Sequence, residues 1–383
     1  MSASPVSLED LSHWRDAALD VVAGDLEALS KRLTAEFSEM AGKRLLITGG
    51  AGFLGYYLVQ APLAWNSLGL GEPIRVSVFD NYSRGVPGWL EVLGLDPNLE
   101  LLQHDITTPL PLDMPNFDYV IHAASIASPT FYRQHPIETM DANVGGLRQL
   151  LDWAVDQAAA EKPLSGFLFF STSEIYGDPA PENIPTPEDY RGNVSCTGPR
   201  ACYDESKRFG ETLCVNFAEQ REVPVSIARP FNNYGPGLKL GDRRVLPDFA
   251  RDVLAGRDIV LLSDGKATRT FCYVADAIVG YYKVLVRGAR GSAYNIGTDA
   301  AEVSMWDLAQ QVAKLGKELF GYTGSVTREE SPDADYLVDN PNRRCPVIDK
   351  ARSELSYEPT VELDRGLACS LVWYAGNRAD EEQ

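Results

Sequence analysis

Apolar positions along this chain fall into two rhythms. Short runs rich in apolar residues occupy 43–48, 74–79, 99–103, 119–122, 166–170 and 225–228, and stretches of helical apolar period lie among them at 53–65, 138–157 and 200–220. The runs read as buried strands and the periodic stretches as helices packed on them. Strand alternating with helix predicts an α/β protein built on a doubly wound parallel sheet. Residues 1–41 stand apart. Leu19, Val22, Leu26, Leu29, Leu33 and Met40 follow a 3-4-3-4-7 spacing, one apolar seam that either docks on its own domain or meets a partner. From Arg229 the texture changes, with Gly235-Pro236-Gly237 and the basic residues Arg243, Arg244 and Arg269. The expected organisation is an N-terminal helical extension (1–41), a cofactor domain (42–228, with a returning segment near 271–300) and a smaller α/β substrate lobe (229–383). Residues 377–383 are expected to fray.

The first strand runs directly into Gly49-Gly50-Ala51-Gly52-Phe53-Leu54-Gly55. Glycines at 49, 52 and 55 permit a tight turn, close approach of a pyrophosphate and close helix–strand packing. The helix that follows offers N–H donors and a favourable dipole near Phe53 and Leu54. The second strand ends at Asp80-Asn81, where a carboxylate would bind ribose hydroxyls and repel a 2′-phosphate. NAD is therefore expected over NADP, with Arg84 nearby as the one opposing sign. Asp105 and Ile106 after the third strand, and Ala123 and Ala124 after the fourth, are expected to line the same crevice.

Charge and composition narrow the partners. The chain has 383 residues and a formal charge of −19, which argues against a nucleic-acid face. Its six cysteines form no C-x-x-C pair and its four histidines have no metal-ligand spacing, so reduced thiols and no metal are expected. No apolar run is long enough for a membrane span, and no signal-peptide pattern opens the chain. A cytoplasmic protein is expected.

The chemistry concentrates between Ser171-Thr172-Ser173-Glu174-Ile175-Tyr176-Gly177 and Gly198-Pro199-Arg200-Ala201-Cys202-Tyr203-Asp204-Glu205-Ser206-Lys207. Tyr203 and Lys207 sit four apart, on one face of a helix. An ammonium beside a phenol favours the phenolate and moves its pKa from about 10 toward neutrality. With Asp80, Arg229-Pro230-Phe231-Asn232-Asn233-Tyr234-Gly235-Pro236 and 268–274, these motifs resemble those of extended short-chain dehydrogenases/reductases acting on nucleotide sugars, over nearly all of 43–375. Within that superfamily the chain is most similar to UDP-glucuronic acid decarboxylases.

The resemblance implies a Rossmann-type fold, a nucleoside-diphosphate-sugar substrate, recycled NAD and a homodimer paired through a four-helix bundle. It implies that Tyr203, helped by Lys207, removes the C4 hydroxyl proton while NAD oxidises C4, with Thr172 or Ser173 bonded to the same oxygen. The C5 carboxylate, now that of a β-keto acid, leaves as CO₂, C5 is protonated, and C4 is reduced again. Glu174 would place substrate or water near C5. Arg344 would face the reacting carboxylate, with Arg343 one register away. Arg244 and Arg269 would hold the diphosphate, and Asn232 and Tyr132 would contact substrate. The triplet Thr172-Ser173-Glu174 lacks the Asp that dehydratases carry there, so water loss is disfavoured. Pro236-Gly237, Asp141, 191–196, Ile126 and Phe131 depart from the decarboxylase pattern, all around the sugar and nucleotide pockets. A 4-epimerase is the alternative, then a dehydratase, a reductase or a non-catalytic NAD sensor.

Overall fold

The computed structural model describes residues 8–331 and 338–381. Six strands, β1 (Arg44–Thr48), β2 (Arg75–Asp80), β3 (Leu99–Gln103), β4 (Tyr119–His122), β5 (Gly166–Phe170) and β6 (Val225–Pro230), lie in spatial order 3-2-1-4-5-6. The Ala293–Ile296 strand pairs with β6 as the seventh, and all seven are parallel. Alternate strand residues feed two separate cores: Leu168 and Phe170 join one face, Phe167 and Phe169 the other. That two-sided burial is why these runs read as rich in apolar residues. Strand order reverses between β1 and β4, which opens a crevice at their carboxyl ends.

The helix after β1, Gly55–Ser67, contains Pro62. A proline there cannot bond the carbonyl four residues back. The Leu58 carbonyl instead accepts from Tyr282 Oη at 2.5 Å, so no buried acceptor is stranded. The helix expected at 138–157 is three pieces, Pro136–Met140, a π-helical turn at Asp141–Gly146 and Leu147–Ala159. The wider turn carries Asn143 inward, where its Nδ2 donates to Ser206 Oγ at 2.9 Å on the Ala201–Arg221 helix.

The N-terminal segment forms two helices, Leu8–Arg32 and Thr34–Met40. Its seam runs through Ala18, Val22, Leu29, Leu33, Phe37 and Met40, whereas Leu19 is 64% exposed. The register shift has a cause in the neighbouring Leu363–Glu381 helix. There Gly376 lets the two backbones approach so closely that a Cβ would lie 2.4 Å from the Trp14 carbonyl and 2.7 Å from Ala18 Cβ. Asp25 accepts from Tyr57 Oη (2.5 Å) and Tyr273 Oη (2.7 Å). Arg32 pairs with buried Asp276, and buried Glu36 meets Arg287 (2.7 Å) and Lys283 (3.5 Å). The expectation of a frayed end fails up to residue 381: the last helix continues to Glu381, with Arg378 Nη1 bonded to the Leu254 carbonyl at 2.9 Å. Residues 382 and 383 lie outside the described residues.

The crevice is closed by helices Val245–Leu254 and Met305–Phe320 and three short pairings. Thr268–Arg269 pairs with Val303–Ser304 on one side and Arg343–Arg344 on the other, and Ile259–Leu261 pairs with Val326–Arg328. Among the described residues no helix is long and apolar enough to cross a membrane.

Candidate active site

Where β1 and β4 diverge, the glycine turn forms the floor of a cleft of about 2090 Å³. Gly49 has φ +75°, and a Cβ there would lie 2.6 Å from Ala124. A Cβ on Gly55 would lie 2.1 Å from the Gly50 carbonyl. Gly52 differs, because its Cβ would meet only the Gly49 carbonyl, at 3.3 Å. The chain itself therefore demands glycine at 49 and 55, while at 52 the open side faces the cleft, as a close-lying pyrophosphate requires. Asp80 is fixed by Ala51 N (3.0 Å) and Tyr82 N (2.9 Å). Arg84 turns away from it to Asp242 (2.8 Å), with its guanidinium 5.2 Å from the Phe131 ring centre. The residues fit a dinucleotide whose ribose carries free hydroxyls.

The same cleft gathers every residue the sequence singled out: Gly49, Gly52, Phe53, Leu54, Gly55, Asp80, Asn81, Asp105, Ile106, Ala123, Ala124, Tyr132, Thr172, Ser173, Glu174, Tyr203, Lys207, Asn232, Arg244, Arg269 and Arg344. It also includes Trp373 and Asn377, the second of them from the end that was expected to fray.

Tyr203 and Lys207 lie buried on the Ala201–Arg221 helix, with 6% and 2% exposure. Their relation differs from the simple one expected. Lys207 Nζ donates to the Phe170 carbonyl at 2.8 Å and lies 5.8 Å from the Tyr203 ring centre. Burial raises the Tyr203 phenol to about 12, against the lowering effect of its hydrogen bond with Thr172. Burial also brings Lys207 down to about 7. Lys207 donates to the last carbonyl of β5 and not to the phenol oxygen, and burial keeps the phenol raised. The Tyr203 ring stacks on Tyr132, with centres 5.0 Å apart and planes at 6°.

The substrate side is a wall of arginines. In the Arg343–Arg344 strand, adjacent side chains point to opposite faces. Arg343 pairs outward with Glu302, and Arg344 is buried, forking both oxygens of Glu174 with Nη1–Oε1 at 2.5 Å. Arg200 Nη2 meets the same carboxylate at 2.5 Å. Burial would raise Glu174, but Arg200, Arg344 and Arg269 outweigh it and hold the carboxyl at about 2. Asp204, also buried, moves the other way. Burial and the nearby Glu174 raise it to about 8, and Arg200 Nε stands 3.7 Å away.

Arg269 was expected at a diphosphate. Its guanidinium is spent on the carbonyls of Pro341 (2.5 Å), Thr268 (2.7 Å) and Asn342 (3.2 Å), tying down the strand that carries Arg344. Asn232 donates to the Thr270 carbonyl at 2.9 Å. Arg244 pairs with Asp242 at 2.9 Å and is one-third exposed. Arg200 and Arg344 thus converge on the Glu174 carboxylate, and Arg269, whose hydrogen bonds go to backbone carbonyls, adds positive charge nearby; Asp204, Asp178 and Asp339 supply acids on the same side. Sequence reasoning assigned no role to Arg200 or Asp204. Both lie within one turn of Tyr203, and that spacing was the available signal.

A model of the NAD dependent epimerase/dehydratase family matches residues 45–297. UDP-glucuronic acid decarboxylase 5 of Arabidopsis thaliana is 38% identical over 324 residues, 85% of this chain and 87% of that protein. UDP-glucuronic acid decarboxylase 1 of Xenopus tropicalis is 36% identical over 341 residues, 88% of this chain and 73% of that one. The solved structure of a dTDP-glucose 4,6-dehydratase from Streptomyces venezuelae, with NAD bound, superposes with a TM-score of 0.74 at 25% identity, covering 88% of this chain and 98% of that one. With the strand order, the glycine turn and the Tyr203/Lys207 helix all in place, the chain belongs to the NAD-dependent epimerase/dehydratase family.

Proposed function

We propose that this chain is an NAD-dependent decarboxylase of a nucleotide-activated glucuronic acid, of the UDP-glucuronate to UDP-xylose type. The observation that carries the reading is the convergence of two buried guanidiniums, Arg200 and Arg344, on the one carboxylate of Glu174 beside Ser173. Two guanidiniums on one carboxylate leave donors to spare, and a sugar carboxylate supplies a second acceptor for them. A neutral hexose, the substrate of a 4-epimerase, brings no such group. The curated decarboxylases matched along most of the chain support the same reading.

Gly49, Gly52, Gly55 and Asp80 would hold NAD, with Asn81, Asp105, Ile106, Ala123 and Ala124 around it. Bound NAD⁺ supplies a reversible two-electron oxidation at the sugar C4, which makes the C5 carboxylate that of a β-keto acid. Tyr203, once ionised, accepts the C4 hydroxyl proton, and Thr172 keeps its oxygen in line through their hydrogen bond. Lys207, whose Nζ lies 5.8 Å from the Tyr203 ring centre, would add its positive charge to that of bound NAD⁺. Glu174, held ionised by its two arginines, orients a water but carries no proton to donate near neutrality. C5 therefore takes its proton from water, after the C5–carboxylate bonding pair has moved into the C4 carbonyl. Ser173 cannot protonate a leaving hydroxide, which keeps dehydration out of reach. Arg244, with Tyr132 and Asn232, would receive the nucleotide.

The chain divides, in this reading, into the 1–41 extension, the 42–228 cofactor domain with a returning segment near 271–300, and the 229–383 lobe. It works in the cytoplasm as a homodimer. Ile137 (60% exposed), Met140 and Phe209 (50% exposed) leave apolar surface on the Pro136–Met140 and Ala201–Arg221 helices of the cofactor domain, where such a bundle would form. The test is mass spectrometry after incubation with NAD⁺ and UDP-glucuronic acid. A product lighter by one CO₂ with no net NADH is expected. An isomer of unchanged mass would instead establish an epimerase.

A further inference from the structure

Glu174 receives two guanidiniums where one would do. The Arg344 fork already occupies both of its oxygens, an arrangement that satisfies a carboxylate by itself. Arg200 adds a contact of 2.5 Å to Oε2. The two arginines are not equally free to leave. Arg200 opens the catalytic helix, and its backbone carbonyl accepts from Tyr203 N (3.0 Å) and Asp204 N (3.1 Å). Its guanidinium lies 5.8 Å from the Tyr132 ring centre, against Asp204, and it is 8% exposed. Arg344 sits on a two-residue strand at the cleft wall. Both residues are 8% exposed and both have a buried Nε without a hydrogen-bond partner; what separates them among the described residues is that Arg200 has Asp204 at 3.7 Å as a second acid, whereas the Arg344 guanidinium has only Glu174.

We infer that Arg200 is a specificity-determining positioning residue: it retains Glu174 while Arg344 lets go and turns to the carboxylate of the incoming sugar. Glu174 thereby stands in for the substrate carboxylate until the substrate arrives. Without Arg200, Glu174 competes for Arg344, and the site loses its preference for an anionic sugar. This inference rests on the decarboxylase reading above.

Calorimetry on the full chain with NAD bound tests it, in a Tyr203→Phe background so that no turnover occurs. The parent variant is expected to bind UDP-glucuronate more tightly than UDP-glucose. Arg200→Met should cut that preference by about tenfold to a hundredfold, the worth of a charge-assisted contact, and leave UDP-glucose affinity unchanged. Adding Glu174→Gln to Arg200→Met frees Arg344 and should restore the preference. Equal losses for both sugars would reduce Arg200 to a structural role, and a double variant with no recovery would also overturn the inference. A parent variant indifferent to the carboxylate, with no CO₂ released by the unmutated protein, overturns the functional reading instead.

Discussion

The two halves of the cleft are built on opposite plans. The cofactor half is contiguous: Gly49, Gly52 and Gly55 fall within seven residues, and each is fixed by backbone or by open space. The substrate half is assembled from afar. Glu174, Arg200, Arg269 and Arg344 come from four segments spanning 170 residues and are held by charge. The first plan leaves a spacing that can be read in one dimension. The second leaves only residue types, and its meaning lies in which charge faces which.

The sharpest way to break the comparison is at the residue that serves both halves. Tyr203→Phe removes the proton acceptor while keeping the ring stacked on Tyr132. Turnover should fall about 10²- to 10⁴-fold with NAD retention unchanged, as read by product formation and by cofactor absorbance after gel filtration. Equal loss of cofactor would show that the halves are not separable there.

Gly55→Val tests the contiguous half. Its new side chain meets the Gly50 carbonyl at 2.1 Å or forces the turn open. A loss of about 1–3 kcal/mol in stability is expected, as for overpacked sites, together with loss of bound NAD. Denaturant melts and cofactor absorbance check both parts.

The charged half should show itself in pH. Asp204 is raised by burial and Glu174 to about 8, against an ordinary 3.8. Between those values the folded chain holds a proton that the unfolded chain has released. The resulting stabilisation is complete below 3.8 and is lost as pH rises through 8. Asp204→Asn should therefore melt like the unmutated protein at acid pH and higher above pH 8, by on the order of 2 °C or more. Parallel melting curves at every pH would refute it.

The smallest effect is expected from Arg84→Ala. Its pair with Asp242 is half exposed on the Arg84 side, and such pairs contribute about 0–1 kcal/mol. NAD should remain preferred over NADP, because Asp80 stays in place. A switch to NADP, measured by competitive binding, would give Arg84 a part in cofactor choice.

Much of the fold was legible because the sheet is buried on both faces. Residues 119–122 and 166–170 stand as strands at the expected bounds, since apolar side chains suit a strand between two cores, and the edge strand 99–103, with Glu100 and Gln103 exposed, keeps its expected bounds as well. The helix at 138–157 was not legible as it stands. Its π-turn, which carries Asn143 to a tertiary bond with Ser206, leaves no trace in periodicity. The seam at Leu19 missed by one residue because the deciding feature, Gly376, is more than 350 positions away. At the site, Tyr203 and Lys207 could be found by spacing, but not that the lysine would be claimed by the Phe170 carbonyl. Arg200 was in view and silent, since its meaning depends on Glu174 and Arg344 meeting it in space.

The pairing of the 8–32 helix with the 363–381 helix sets an order on the making of the protein. The first helix leaves the ribosome about 330 residues before its partner, which at usual synthesis speeds is on the order of tens of seconds. Throughout that interval the face that packs on the last helix stays open, although the Gly55–Ser67 helix, made soon after, already offers Tyr57 to Asp25. The cofactor sheet can close around Gly49 meanwhile, but the cleft cannot, because Trp373 and Asn377 arrive last. A nascent chain therefore carries its dinucleotide cradle well before it carries a complete place for substrate.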